Sequence, residues 1–147
     1  MKKIFIAVDT TDLKKVKKII SQSQTKKIKI GYKFGLEFMN SKGGRNFVSK
    51  LRNKIIFLDL KLNDTVNTML SAVKALRDLR INYLTVHISS GLAALKAVKK
   101  VSRCKIVGVT TLTSLNNKDL KTIGYNKSVK NLVAHQAKLA KKAGLDA

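Results

Sequence analysis

The stretch Ile55-Ile56-Phe57-Leu58-Asp59-Leu60-Lys61-Leu62-Asn63-Asp64-Thr65 decides how the chain is read, because an apolar run with strand character carries acid, base and acid at spacings of two and three. Charges placed this way are costly. One uncompensated member of a buried charge pair costs roughly 3–5 kcal/mol, so the three groups must offset one another or meet a ligand. The spacing therefore predicts an active site at the C-terminal end of a strand. The plain alternative is a solvated strand end.

Working outward, four further apolar or β-branched runs recur: Ile4 to Val8, Ile28 to Phe34, Tyr83 to Ile88 and Lys105 to Leu112. Between them lie segments with helical period. Leu13, Val16, Ile19 and Ile20 mark the first, with Thr11 or Asp12 as its cap. Phe38, Phe47, Val48 and Leu51 suggest a short helix after the Ser41-Lys42-Gly43-Gly44 turn. Val66, Met69, Leu70, Val73 and Leu76 form a clear stripe just after Asp64, which is read either as a helix cap or as a site residue. Leu92, Leu95, Val98 and Val101 make another helix, and Leu132, Val133, Gln136, Leu139 and Ala143 a last one closing at Gly144.

Strand and helix alternate, which predicts parallel strands with right-handed crossovers. The strand starts fall roughly 25 residues apart, close to the ~30 per unit of an eight-fold barrel of about 250 residues. The expected fold class is α/β: an incomplete (β/α)8 TIM barrel with about the first five βα units, residues 1–147 forming the N-terminal part of one barrel domain. Ala143-Gly144-Leu145-Asp146-Ala147 reads as a turn entering a sixth strand. An open dinucleotide-binding sheet is disfavoured, because Val8-Asp9-Thr10-Thr11-Asp12 stands where Gly-x-Gly-x-x-Gly would follow the first strand.

Composition bounds the partners. With 31 Lys and Arg against 8 Asp and Glu, the net charge of +23 raises nucleic acid or an anionic membrane as a rival partner. The lysines, however, are scattered along every expected helix, as in Lys14-Lys15, Lys99-Lys100 and Lys141-Lys142, and do not gather beside aromatic residues. No helix-turn-helix or zinc-finger pattern appears, so no specific nucleic-acid partner is expected. The N-terminal apolar run of five residues ends in Asp9, short of the ~7–15 of a signal-peptide core. No run approaches the ~20 apolar residues of a membrane span, so a soluble cytoplasmic protein without a membrane partner is expected. The single Cys104 allows no internal disulfide and lacks the companions of a zinc site.

Barrel enzymes carry their chemistry at the C-terminal strand ends, and polar residues stand there strand by strand. Asp9 ends the first, Lys33 the second, Asp59 and Lys61 the third, His87 the fourth, and Thr113 follows the fifth. Asp59 and Lys61, two apart, are expected on one face. An alternating set of Lys33, Asp59, Lys61 and Asp64 would keep its members charged and titrate as a unit. His87 is read first as a satisfied interior histidine, and His135 as a surface residue.

Asp59-Leu60-Lys61-Leu62-Asn63-Asp64 resembles the Asp-x-Lys-x-x-Asp signature of the orotidine 5'-phosphate decarboxylase family, with Ala7-Val8-Asp9, Lys33-Phe34-Gly35-Leu36-Glu37-Phe38, Val86-His87 and Val109-Thr110-Thr111-Leu112-Thr113-Ser114 matching in order. The resemblance covers nearly the whole chain. It implies decarboxylation of orotidine 5'-phosphate to UMP without a cofactor or metal, in de novo pyrimidine synthesis. It casts Lys61 as proton donor to C6, Asp59 as the group pressing on the substrate carboxylate, Lys33 and Asp9 on the ribose side, and Thr113 at the pyrimidine. Asp64 and Thr68 would reach the neighbouring subunit's site, which implies a homodimer. Asn63, Thr65 and Val66 depart from the histidine, isoleucine and proline common in the family; Thr65 replaces an apolar group near the pyrimidine. The alternatives are an Mg²⁺-dependent phosphate-sugar lyase of the same superfamily, which has a glutamate where Lys33 stands, and a basic nucleic-acid-binding fragment without catalysis. The family's phosphate-binding glutamine, glycine and arginine would fall beyond Ala147. The expectation is therefore that this chain alone is inactive or nearly so, and prone to aggregate along unpaired edges.

Overall fold

The computed structural model describes residues 3–147; Met1 and Lys2 of the basic N-terminal start lie outside the described residues. Strands and helices alternate as β1 (Lys3–Val8), α1 (Leu13–Gln22), β2 (Lys29–Gly35), α2 (Leu36–Asn40), α3 (Gly44–Lys50), β3 (Ile55–Leu62), α4 (Val66–Ala75), β4 (Tyr83–His87), α5 (Gly91–Val101), β5 (Lys105–Val109), α6 (Asn117–Thr122) and α7 (Val129–Ala143). A 3₁₀ turn, Ile88–Ser90, joins β4 to α5. The strands are hydrogen-bonded in chain order, β1-β2-β3-β4-β5. Ala7 lies opposite Lys33, and Lys33 opposite Phe57, in parallel register.

The sequence boundaries hold with two shifts of consequence. β3 runs two residues past Leu60 and carries Lys61 with it, whereas β5 stops at Val109 and releases Thr110 to Leu112. Two short helices, α2 and α6, were not expected. At six residues α6 shows no period, yet its capping box is explicit: Asn116 accepts from the amides of Lys118 and Asp119, while the Asp119 carboxylate accepts from the Asn116 amide. At α1 the cap is Asp12, whose carboxylate accepts from the amides of Lys14 at 2.8 Å and Lys15 at 3.3 Å.

The chain divides into two compact units. The first comprises Met1–Leu60 and Leu76–Leu84. Its strands bury Val8, Tyr32, Phe34, Ile56 and Leu58, and α1 buries Val16 and Ile20. The other face of these strands carries Phe5, Phe57 and Tyr83, whose rings meet with centroids 5.1 to 5.6 Å apart. Gly31, opposite Phe5 in register, makes room for this cluster. A Cβ at Gly31 would come within 2.6 Å of the Phe5 ring.

The second unit comprises Lys61–Ala75 and Thr85–Ala147. Here α4 packs on α5 and α5 on α7, and Met69, Val73, Leu95, Val98 and Leu132 are buried. Gly144 ends α7 in the left-handed conformation, φ 74°, as expected of a glycine after a helix. The chain then runs along β5: the Asp146 amide donates to the Ile106 carbonyl at 2.9 Å, and the Gly108 amide to the Ala147 carbonyl at 2.7 Å. This pairing matches the turn into a further strand that the sequence predicts.

Candidate active site

The first unit holds a charge pair. Tyr32 and Phe34 alternate with Lys33 along β2, so burying the aromatics turns Lys33 to the opposite face. Its ammonium donates to Asp59 Oδ2 at 3.1 Å, the two side chains being 34% and 14% exposed. Asp59 lies opposite Gly35, the residue two beyond Lys33, where no side chain intervenes. Asp9 follows Val8, the register partner of Phe34, and is exposed.

In the second unit Lys61 has a left-handed backbone, φ 49°. Rotating φ out of the extended range swings the Cα–Cβ bond, so period two alone does not decide which face Lys61 shares with Asp59. The Lys61 amide donates to the Thr85 hydroxyl at 2.7 Å, and Thr85 is buried at 3% exposure. His87, two residues further on β4, is held below its ordinary pKa first by burial and then by the positive charge of Lys61. His87 borders a recess of about 130 Å³ with Ser89, Thr110, Thr111 and Gln136. There Thr111 donates from its hydroxyl to the buried Gln136 Oε1 at 3.0 Å.

Asn63 to Thr68 form an exposed run ahead of and into α4. The Asp64 carboxylate accepts the Thr65 amide at 2.7 Å. Its pKa lies below the usual carboxylate value, chiefly because of that amide and then the Thr68 hydroxyl, against a small opposing effect of desolvation. Thr65 and Thr68 join their hydroxyls at 3.1 Å, and the Thr65 carbonyl accepts the Met69 amide at 3.0 Å. Asp64 therefore satisfies an amide at the start of α4, one residue ahead of the cap position, and leaves its carboxylate in solvent. Thr113 is exposed in the turn between β5 and α6, and His135 is exposed on α7.

The structure thus pairs Lys33 with Asp59, binds Lys61 to Thr85 beside His87, and groups Asp64 with Thr65 and Thr68. Asp9 stands just beyond the end of β1, as the sequence assigned it, whereas Thr113 falls four residues past the end of β5, because that strand stops short at Val109. Thr85 escaped sequence reasoning. In Tyr83-Leu84-Thr85-Val86-His87 a threonine is an ordinary strand former and gives no signal of a polar task.

Against known proteins, the family model described as "Orotidine 5'-phosphate decarboxylase / HUMPS family" matches residues 2–147. The orotidine 5'-phosphate decarboxylase of Wolbachia sp. subsp. Brugia malayi is 43% identical over 99% of this chain, which spans 65% of that relative's length. Among solved structures, the orotidine 5'-phosphate decarboxylase of Lactobacillus acidophilus superposes with a TM-score of 0.84 at 30% identity, covering 99% of this chain and 70% of that one. That of Methanocaldococcus jannaschii, complexed with the inhibitor BMP, gives 0.78 at 22% identity over 99% of this chain and 65% of that one, a likeness of fold. The five strands and their helices are accordingly the α/β units of a (β/α)8 barrel, incomplete by the measure of those relatives.

Proposed function

Because this chain belongs to the orotidine 5'-phosphate decarboxylase / HUMPS family, we propose that it carries the proton-delivering part of a cofactor-independent decarboxylase that converts orotidine 5'-phosphate to UMP. The family includes metal-dependent sugar-phosphate lyases as well, and one observation favours the decarboxylase: the Lys33 ammonium sits 3.1 Å from Asp59. A fixed cation on that carboxylate neutralises it and repels a divalent ion, whereas a lyase of the Mg²⁺ type needs a further acid there.

In the proposed reaction the bond from C6 to the carboxylate breaks heterolytically. Carbon dioxide leaves, and the electron pair stays on C6. Lys61 stabilises the developing carbanion electrostatically and then transfers a proton from Nζ to C6, giving UMP; solvent returns the proton to the amine. An arginine would hold its proton too tightly for this role. Asp59, held by the Lys33 ammonium, crowds the substrate carboxylate and favours its departure. Asp9 and Lys33 engage the ribose, and Thr113 the pyrimidine. Asp64 and Thr68, exposed at the start of α4, serve the site of a second copy in a homodimer.

By the family resemblance, the phosphate contacts are expected in the part of the relatives that this chain does not cover. Residues 1–147 alone are therefore expected to turn over substrate feebly, since remote phosphate binding supplies transition-state stabilisation. The reading is tested in the whole gene product by following UMP formation. Lys61→Ala is expected to lower kcat by at least about a thousandfold, a loss typical of removing a principal electrostatic stabiliser, without loss of fold. Retained turnover in that variant defeats the assignment. A strict Mg²⁺ requirement with a sugar phosphate as substrate would favour the lyase instead.

A further inference from the structure

Resting on that reading of Lys61, we propose that Thr85 is the positioning residue of the site: its buried hydroxyl clamps the Lys61 amide and fixes the left-handed backbone from which the proton-donating side chain departs.

Four features of the structure carry this. Lys61 and Asn53 are the two non-glycine residues with positive φ among those described. Asparagine tolerates that conformation through its short polar side chain, whereas lysine has no such excuse, and strained backbone of this kind persists only where its surroundings impose it. Strand amides are ordinarily served by backbone carbonyls alone; the Lys61 amide donates to a side chain, the Thr85 hydroxyl, at 2.7 Å. Thr85 is one of two buried polar residues among those described, at 3% exposure, the other being Gln136. A buried hydroxyl requires a partner, and one that accepts a strand-end amide locks two strands at that level. Finally, β-branching holds the Thr85 χ1 rotamer, so the oxygen is fixed in place rather than searching for its donor. Thr85 touches no reacting atom. It acts through Lys61, by deciding where the ammonium is held when the carbanion forms, and a small misplacement there is costly in rate.

The test uses the whole gene product with Thr85→Val, which keeps shape and removes the acceptor, and Thr85→Ser, which keeps the acceptor. Two quantities are read: amide hydrogen exchange at Lys61, with Ile56 on the same strand as control, and steady-state decarboxylation. The Ile56 amide bonds to Asn82 Oδ1 at 2.8 Å and does not depend on Thr85. In Thr85→Val, exchange at Lys61 is expected to accelerate at least tenfold with Ile56 unchanged, and kcat to fall at least tenfold with KM moving much less. Thr85→Ser is expected to recover most of both. If Thr85→Val does not fold, Thr85→Ala reads the same quantities. Protection at Lys61 that survives loss of the hydroxyl overturns the proposal, as does a kcat that ignores it. Should the unaltered protein fail to decarboxylate orotidine 5'-phosphate, the functional reading falls, and the exchange result alone decides whether Thr85 holds Lys61.

Discussion

His87 is a base whose neutral form the fold prefers, because burial and the Lys61 charge both oppose its protonation. Its folded pKa lies below the ordinary 6.5, so in the window between the two values the unfolded chain binds the proton more readily. Stability is then fully present above pH 6.5, is lost as pH falls towards the folded value, and levels off below it. Thermal unfolding followed from pH 8 to pH 5 should show Tm falling in that window, and His87→Gln should flatten the fall; an unchanged slope would show that His87 is solvated. Asp64 and Asp146 act at lower pH. Both sit below the carboxylate value of 3.8, so what they contribute is present above it and lost on further acidification. At this scale the sequence displayed the charged groups but not how they are held. Lys33 and Asp59 were legible because acid and base at strand ends are expensive without each other. The left-handed Lys61 was not, since lysine carries no preference for that conformation, and neither was the hydroxyl that supports it.

Gly43 and Gly44 divide two kinds of constraint at the start of α3. Gly43 has φ 92° and a Cβ there would meet Leu13 Cδ1 at an ordinary 3.8 Å, whereas a Cβ on Gly44 would stand 1.8 Å from the Phe38 carbonyl oxygen. Gly43→Ala should therefore cost about 1 kcal/mol, the strain of left-handed backbone. Gly44→Ala should cost about 3 kcal/mol, because backbone of α2 must move to admit it. Denaturant unfolding of the two variants checks the order, and a reversal would show that α2 yields easily. Helices with a long apolar stripe and strands with an apolar run were legible; α2 and α6 were not, because five or six residues do not complete a period. The opening of α4 was legible in its structural sense: Asp64 satisfies a helix-start amide and remains exposed. If sites are shared, mixing Lys61→Ala with Asp64→Ala variants, each inactive alone, should restore UMP formation through mixed dimers that hold one intact site. No recovery after confirmed subunit exchange would place Asp64 within its own subunit's site or outside catalysis.

The net charge of +23 belongs to the whole molecule rather than to any site. No helix among the described residues is long and apolar enough to cross a membrane, and the lysines are spread over the helices rather than gathered at the charged strand ends. A surface of this kind attracts polyanions by releasing their counterions, which needs no complementary geometry. The protein is therefore expected to bind duplex DNA non-specifically, with affinity falling steeply and linearly on a log–log plot as salt rises. Lys61→Ala removes one of 31 basic residues and should leave that slope almost unchanged. Binding of UMP should behave in the opposite way: weakly dependent on salt beside the DNA titration, because few charges meet, but sensitive to Lys61 and Asp59, because their geometry is specific. Titrating both ligands from low to physiological salt against the same two variants separates the readings. DNA binding that collapsed on changing Lys61 or Asp59, or that persisted at high salt, would mean that the strand-end charges serve nucleic acid, and the decarboxylase reading of those residues would fall with it.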